Sequence, residues 1–129
     1  MDAFQEFAAR IHHSCREGYF HAMKNVSLEA TKKFPNDCSF KFYHALSLLL
    51  EKKIPDALRE LEPLLNENPV SLAACLASVD GHRACVKVDR EEVASLEVRI
   101  RDAKKAAPPD VLYFAGLYMN LIGKNDKAK

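Results

Sequence analysis

The chain has 129 residues, of which 48% are hydrophobic and 29% are charged, and its formal net charge at pH 7 is +1. This balance provides no electrostatic attraction to nucleic acid or to an anionic membrane. No apolar run approaches the ~20 residues that span a bilayer, and the start of the chain lacks the apolar core of a signal peptide. We therefore expect a cytoplasmic protein with no nucleic-acid partner and no direct membrane insertion.

Apolar residues at helical spacing predict about seven helices and no strand. The first two helices are predicted over 2–16 and 19–33. The third, over 39–51, is apolar nearly all round and should be buried on several sides. The fourth begins near Pro55, a residue type that suits the first turn of a helix, and it ends before Pro69.

The boundaries of the last three helices carry the clearest signals. The fifth is predicted over 70–84, although an interior glycine such as Gly81 costs ~1 kcal/mol relative to alanine. The sixth begins at Asp89, which stands at capping-box spacing from the glutamate three residues later. The seventh follows Pro108, and we expect a turn at Gly123 with an eighth helix starting directly after it.

Four alanines recur at nearly equal spacing, each near the start of a helical stretch: Ala22, Ala57, Ala94 and Ala128. Their separations of 35, 37 and 34 residues match the tetratricopeptide repeat, which has two helices in about 34 residues. A small side chain is expected there because the two helices of a pair cross closely. The matching small residues of the first helices are Ala45 and Gly116. We therefore predict an all-α fold, a right-handed superhelical solenoid of antiparallel helix pairs.

The repeat phase also predicts the domain organisation. We expect residues 1–129 to form a single N-terminal domain of a longer array, with helix pairs at approximately 2–34, 38–68, 70–107 and 109–129, the last incomplete. A first helix that lacks its partner would expose an apolar strip, which here consists of Val111, Tyr118, Leu121 and Ile122. We therefore expect self-association through this end of the domain.

The first helices of the pairs line the concave groove of such an array. The predicted protein-binding groove consists of Phe42, Leu46, Leu49, Leu50, Tyr113, Leu117 and Leu121. Apolar side chains cannot clamp a terminal carboxylate, so this groove would take an amphipathic helix or close on the array itself. The alternative is that much of this set belongs to the core within the repeats.

Residue types that could support catalysis are present but scattered. His12 and Cys15 are three apart on one helix, yet no paired-cysteine or HExxH motif completes a metal site. His44 is expected to be a hydrogen-bonded interior histidine. The four cysteines, which also include Cys38, Cys75 and Cys85, are expected to be reduced structural thiols. The basic cluster at 99–105 suits the dipole of a helix end. We therefore predict no catalytic, cofactor or metal site.

Seven stretches occur in one order along nearly the whole chain and exceed the repeat consensus: 19–21, 40–45, 56–62, 70–72, 89–91, 112–117 and 122–129. The most specific are DREE, starting at Asp89, and the final IGKNDKAK. Together they resemble the N-terminus of the tetratricopeptide repeat protein 21 family, the large repeat subunit of intraflagellar transport complex A. Residues 75–85 depart from that family because they contain more cysteine and glycine.

The resemblance implies a non-enzymatic scaffold that acts in retrograde ciliary transport and in the entry of membrane proteins into the cilium. Its implied partners are other subunits of that complex, and its implied location is the cytoplasm and the cilium or basal body. A second hypothesis is a free-standing adaptor that binds short helical or C-terminal peptide motifs. A third, an enzyme that uses His12 and Cys15, would need a bound metal ion.

Overall fold

The computed structural model describes residues 2–85 and 87–127, with only the backbone described for 123–127. Within these residues the fold consists of seven α-helices and one 3₁₀ helix, with no strand. The α-helices are α1 (Ala3–Glu17), α2 (Phe20–Lys33), α3 (Cys38–Leu50), α4 (Ile54–Leu61), α5 (Ser71–Arg83), α6 (Arg90–Ala106) and α7 (Pro109–Lys127). The prediction of an all-α repeat fold is confirmed.

Three aspartates set the starts of their helices. Asp2 accepts a hydrogen bond from the backbone N–H of Gln5 at 2.8 Å and completes a capping box at α1. Asp37 accepts from the backbone N–H of Ser39 at the start of α3, and Asp89 accepts from that of Glu92 at the predicted start of α6, each without a full capping box. These caps satisfy backbone N–H groups that a helix leaves without an internal partner, so the start of each of these helices is specified locally.

The fourth predicted helix is shorter than expected. It ends at Leu61, and the chain continues as the 3₁₀ helix Glu62–Asn66. Pro63 explains the change, because proline has no N–H to donate to the preceding turn and its ring clashes with that turn. The seventh helix differs in the opposite sense: α7 runs through Gly123 to Lys127, so the turn predicted at Gly123 is wrong.

Consecutive helices from α1 to α6 pack against each other along the chain. The first core cluster joins α1 to α5 and α7, and its fully buried members include Ile11, Met23, Phe40 and Leu46. A second cluster lies among α5, α6 and the start of α7, where Leu72 and Leu96 are nearly inaccessible. Short connections between neighbouring helices produce the antiparallel pairs that the repeat pattern predicts.

The last helix, α7, does not simply stack on the helices just before it. α7 contacts α5 and also reaches back to α1, and its aromatic side chains contact Phe42 of α3. α1, α3 and α5 are the first helices of their pairs, and we call the face that they form the first-helix groove. α7 lies in this groove and closes it.

Burial separates the predicted small-residue positions into two groups. Ala45 and Ala57 are fully buried, as a close helix crossing requires. Ala22, Ala94 and Gly116 are exposed, so the prediction that they are close-packed is wrong. On α2 and α6 the neighbouring Met23 and Val93 point into the core instead, because one residue rotates a helix face by about 100°. Ala128 lies outside the described residues.

One close helix contact involves Gly81, a residue that the repeat phase did not select. A Cβ atom at Gly81 would lie 2.9 Å from Cδ2 of Leu58 and 3.3 Å from Cδ1 of Leu49. Gly81 is buried in α5, and its missing side chain lets α5 approach α4 and α3. By contrast, a Cβ atom at Gly116 would meet nothing within 4 Å.

We predict that Ala57→Asp lowers the free energy of unfolding by about 3 kcal/mol or more, because it buries a charge with no partner. Ala94→Asp is the matched control, since Ala94 has the same repeat phase but is exposed. This control should change stability by less than ~0.5 kcal/mol. Urea denaturation of both variants measures the difference, and equal effects would contradict the burial described here.

We also predict opposite consequences for the same substitution at two helical glycines. Gly116→Ala should raise stability by up to about 1 kcal/mol, because alanine favours the helix and has free space there. Gly81→Ala should be less stable than Gly116→Ala, because its methyl group forces the end of the Leu58 side chain to shift. Thermal and urea unfolding test this pair, and identical shifts would show that α4 and α5 are not in close contact at Gly81.

Candidate functional site

The candidate site is the first-helix groove with α7 seated in it. Phe114 of α7 packs edge-to-face on Phe42, with ring centroids 5.3 Å apart at 81°, and it also contacts Tyr43 at 5.6 Å. Tyr118, one turn further along α7, packs on the same Phe42 at 5.8 Å and 79°. Edge-to-face pairs of this kind add about 0.5–1.5 kcal/mol beyond the area that they bury. The groove therefore holds a helix mainly through aromatic side chains.

A hydrogen bond at the edge of the groove complements these apolar contacts. The Tyr118 hydroxyl donates to the carboxylate of Asp80 on α5. The ring of Tyr118 is buried, whereas Asp80 is open to solvent, so the hydroxyl connects the interior of the groove to its rim. Val111, Ala115 and Leu121 complete the buried face of α7, and the spacing of this face is that of an amphipathic helix.

The residues predicted to line the groove fall into three places. Phe42, Leu46, Leu49 and Leu121 are buried, Leu50 and Leu117 are half-buried, and Tyr113 is 72% exposed. An open groove of all seven side chains is therefore wrong for this structure, because α7 covers it and Tyr113 points away from it. Phe42, Leu46, Leu49 and Leu121 belong to the first core cluster. Sequence reasoning missed Phe114, although it stands four and seven residues before Tyr118 and Leu121.

The strip expected to be exposed at the end of the chain is also covered. Val111, Tyr118 and Leu121 are each at most 3% exposed, and Ile122 is half-buried. The exposed apolar side chains of α7 lie on its other face instead: Leu112, Tyr113 and Met119. The physical reason is the return of α7 over α1, α3 and α5, which a linear array does not predict.

His12 and Tyr43 form a polar contact inside the groove. The His12 Nε2 atom and the Tyr43 hydroxyl are 2.9 Å apart, and their rings pack edge-to-face at 5.3 Å. Burial, and then the positive charge of Arg16, lowers the pKa of His12 below 6.5, while burial raises the pKa of Tyr43. At neutral pH both groups are therefore uncharged, and the hydrogen bond joins a neutral imidazole to a neutral phenol.

The other predicted polar residues also have structural contacts. His44 Nδ1 lies 2.6 Å from Glu60 Oε1, which confirms the expected hydrogen bond. Cys15 is fully buried, and burial raises the pKa values of Cys38 and Cys75, so these two thiols are protonated and weakly nucleophilic. Cys15, Cys38, Cys75 and Cys85 form no disulfide bond with one another. Among the described residues no three His, Cys, Asp or Glu side chains are grouped to hold a metal ion.

Two further surfaces flank the groove. A cleft of about 420 Å³ separates α6 from α7 above α5, with Leu76, Val79 and Ile100 among its walls. In the basic cluster of α6, Arg99 donates to Leu65 O at 3.2 Å and Asn66 Oδ1 at 2.8 Å, so this arginine joins α6 to the preceding 3₁₀ helix.

Within 2–85 and 87–127, no helix combines the length and apolar character needed to cross a bilayer.

Comparison with known proteins identifies similar chains. Residues 11–129 match the family model described as the tetratricopeptide repeat protein 21 N-terminal ARM repeat. The chain is 39% identical to tetratricopeptide repeat protein 21B of Homo sapiens over 129 residues, which is 100% of this chain and 10% of that protein. It is 35% identical to the Xenopus laevis 21B protein over 128 residues, covering 99% and 10%.

A second paralogue is similar as well. The chain is 37% identical to tetratricopeptide repeat protein 21A of Homo sapiens over 114 residues, which is 88% of this chain and 9% of that protein. The chain thus spans about a tenth of the length of these curated relatives. The similarity covers the first-helix groove and α7 together.

The contact between His12 and Tyr43 predicts a pH dependence of stability. The pKa of His12 in the folded state lies below the unfolded value of 6.5, so on acidification the unfolded chain binds the proton first. Stability is therefore complete above pH 6.5 and is lost as the pH falls through the folded pKa. Urea denaturation at about pH 7 and pH 5 should show a smaller loss for His12→Gln than for the wild type.

The neighbouring His13 provides the control for this measurement. His13 is exposed, so His13→Gln should retain the pH dependence of the wild type. A His12→Gln variant whose stability falls with pH as steeply as that of the control would show that His12 is not buried as described.

Proposed function

The chain belongs to the tetratricopeptide repeat protein 21 family, and we propose that it acts as a non-enzymatic scaffold for protein–protein interactions. The observation that carries this proposal is the family match over 11–129, which includes every helix from α2 to α7. Helical repeats of this type present extended surfaces to other proteins. Binding another protein requires no catalysed reaction. The polar side chains of the groove, His12 and Tyr43, hydrogen-bond to each other, which fits a binding role.

The finer proposal is a role as the N-terminal part of a subunit of intraflagellar transport complex A. In this role the protein acts in retrograde ciliary transport and in the ciliary entry of membrane proteins. Its partners are other subunits of the complex, and it resides in the cytoplasm and at the cilium or basal body. The support is the resemblance of the seven ordered stretches, from 19–21 to 122–129, to that family.

A second candidate is an adaptor that binds short helical motifs. The observation that favours it is α7 itself, since the first-helix groove holds an amphipathic helix through Phe114 and Tyr118. Recognition of a terminal carboxylate is less compatible with the site, because Phe42 and Leu46 at the groove positions are apolar and buried. The two candidate functions predict different binding partners, and the partners recovered by affinity purification therefore distinguish them.

The decisive experiment is affinity purification of the tagged chain from ciliated cells, followed by mass spectrometry. We expect co-purification of intraflagellar transport complex A subunits and fluorescence at the cilium or basal body. Ala94→Asp, at an exposed position, should retain these partners. Ala57→Asp, which disrupts the core, should lose them. Recovery of unrelated proteins that share a helical motif, without those subunits, would favour the adaptor.

A further inference from the structure

We propose that the first-helix groove is an exchangeable helix-binding site, in which α7 is an internal ligand that a helix of a partner protein replaces. The partner helix carries the anchor pattern of α7: an aromatic residue, a tyrosine four residues later and an aliphatic residue three residues after that. This inference deepens the proposed scaffold function and rests on it for the statement that the ligand is a protein.

The anchors of α7 define the chemistry that the groove accepts. Phe114 is 7% exposed and packs against the rings of both Phe42 and Tyr43. Tyr118 packs on Phe42 and donates its hydroxyl to Asp80, while Leu121 enters the apolar core. An aromatic side chain is therefore required at the first position, and a hydroxyl-bearing aromatic ring at the second. Anchors at i, i+4 and i+7 are the pattern of helix-in-groove recognition.

Several features allow α7 to leave the groove as a unit. Its connection to α6 consists of residues 107–108, where Ala107 is extended with φ −69° and ψ 138°. Pro108 and Pro109 cannot donate backbone hydrogen bonds, so they separate the two helices. The outer face of α7 is open, with Tyr113 at 72% and Met119 at 56% exposure. No helix among the described residues covers that face.

The packing beside α7 is also incomplete. The cleft of about 420 Å³ between α6 and α7 has Leu76, Val79 and Ile100 on one side and Met119 and Ile122 on the other. The cleft is open to solvent, and the exposed Asp80, Arg83 and Glu97 also line it. α7 therefore holds the groove by one face and a few anchors, and a partner helix with the same anchors competes for the same contacts.

The test uses the whole chain and a fluorescein-labelled synthetic peptide of residues 107–127. The variant Phe114→Asp disfavours the seating of its own α7, and circular dichroism reports whether the rest of the chain is folded. The matched control is Tyr113→Asp, at the adjacent exposed position. A control peptide carries alanine in place of both aromatic anchors. Fluorescence anisotropy measures binding to the three proteins.

We expect the labelled peptide to bind Phe114→Asp at least about tenfold more tightly than it binds the wild type or Tyr113→Asp. In the latter two proteins α7 occupies the groove, and apparent affinity falls with the fraction of open protein. The control peptide should bind none of the three. Failure of the folded Phe114→Asp variant to bind the peptide would overturn the proposal.

Hydrogen exchange on the wild type provides a second measurement that does not depend on the variant. With excess peptide, and with the chain isotope-labelled to distinguish the two sequences, the amides of the chain's own α7 should exchange faster while those of α3 stay protected. Unchanged exchange of α7 at saturating peptide would refute exchangeability. Sedimentation that shows a dimer with swapped α7 would identify a second copy as the occupant, against this proposal. The affinity purification tests the ciliary partners, and the peptide experiment tests the exchange of α7. If the purification recovers no ciliary subunits, the peptide result still stands, so each proposal can fail without the other.

Discussion

The position of α7 depends on Phe42, because two aromatic rings of α7 pack edge-to-face against it. It is fully buried on α3, and Phe114 and Tyr118 approach it at 5.3 Å and 5.8 Å. This contact joins the last helix to the middle of the chain, and α7 contacts α1 and α5 on either side. The burial of the remaining apolar face of α7 depends on this aromatic contact. These aromatic contacts thus hold α7 in the first-helix groove formed by α1, α3 and α5.

The helices themselves could be predicted from the sequence because their signals are local. Asp37 and Asp89 cap α3 and α6 through neighbouring backbone groups, and the 3.6-residue period of apolar side chains marks the helical stretches. The unpredicted break after Leu61 also has a local cause, Pro63, which the apolar pattern of α4 obscured. The spacing predicted a tetratricopeptide repeat, whereas the family description names an ARM repeat. Both architectures stack helices in pairs or triplets.

The candidate site could be predicted only in part, because it depends on contacts between distant segments. The apolar character of Phe42 and Leu46 predicted a groove suited to a helix, and both side chains lie in the buried core, but nothing local indicated that α7 would return over them. Likewise, the period of the small residues located Ala57 yet could not decide between Ala94 and Val93. A single residue step changes the helix face, and tertiary packing makes that choice.

The Asp80 hydrogen bond has a further consequence for the geometry of the groove. The rings of Phe114 and Tyr118 hold α7 against Phe42 of α3. The carboxylate is a fixed point, and a shift of α7 by one turn, about 5.4 Å, would carry the Tyr118 hydroxyl out of its reach. Asp80 therefore fixes the register of α7 in the first-helix groove. The hydrogen bond between Tyr118 and Asp80 determines where α7 lies along the groove, whereas the aromatic rings stabilise its contact with α3.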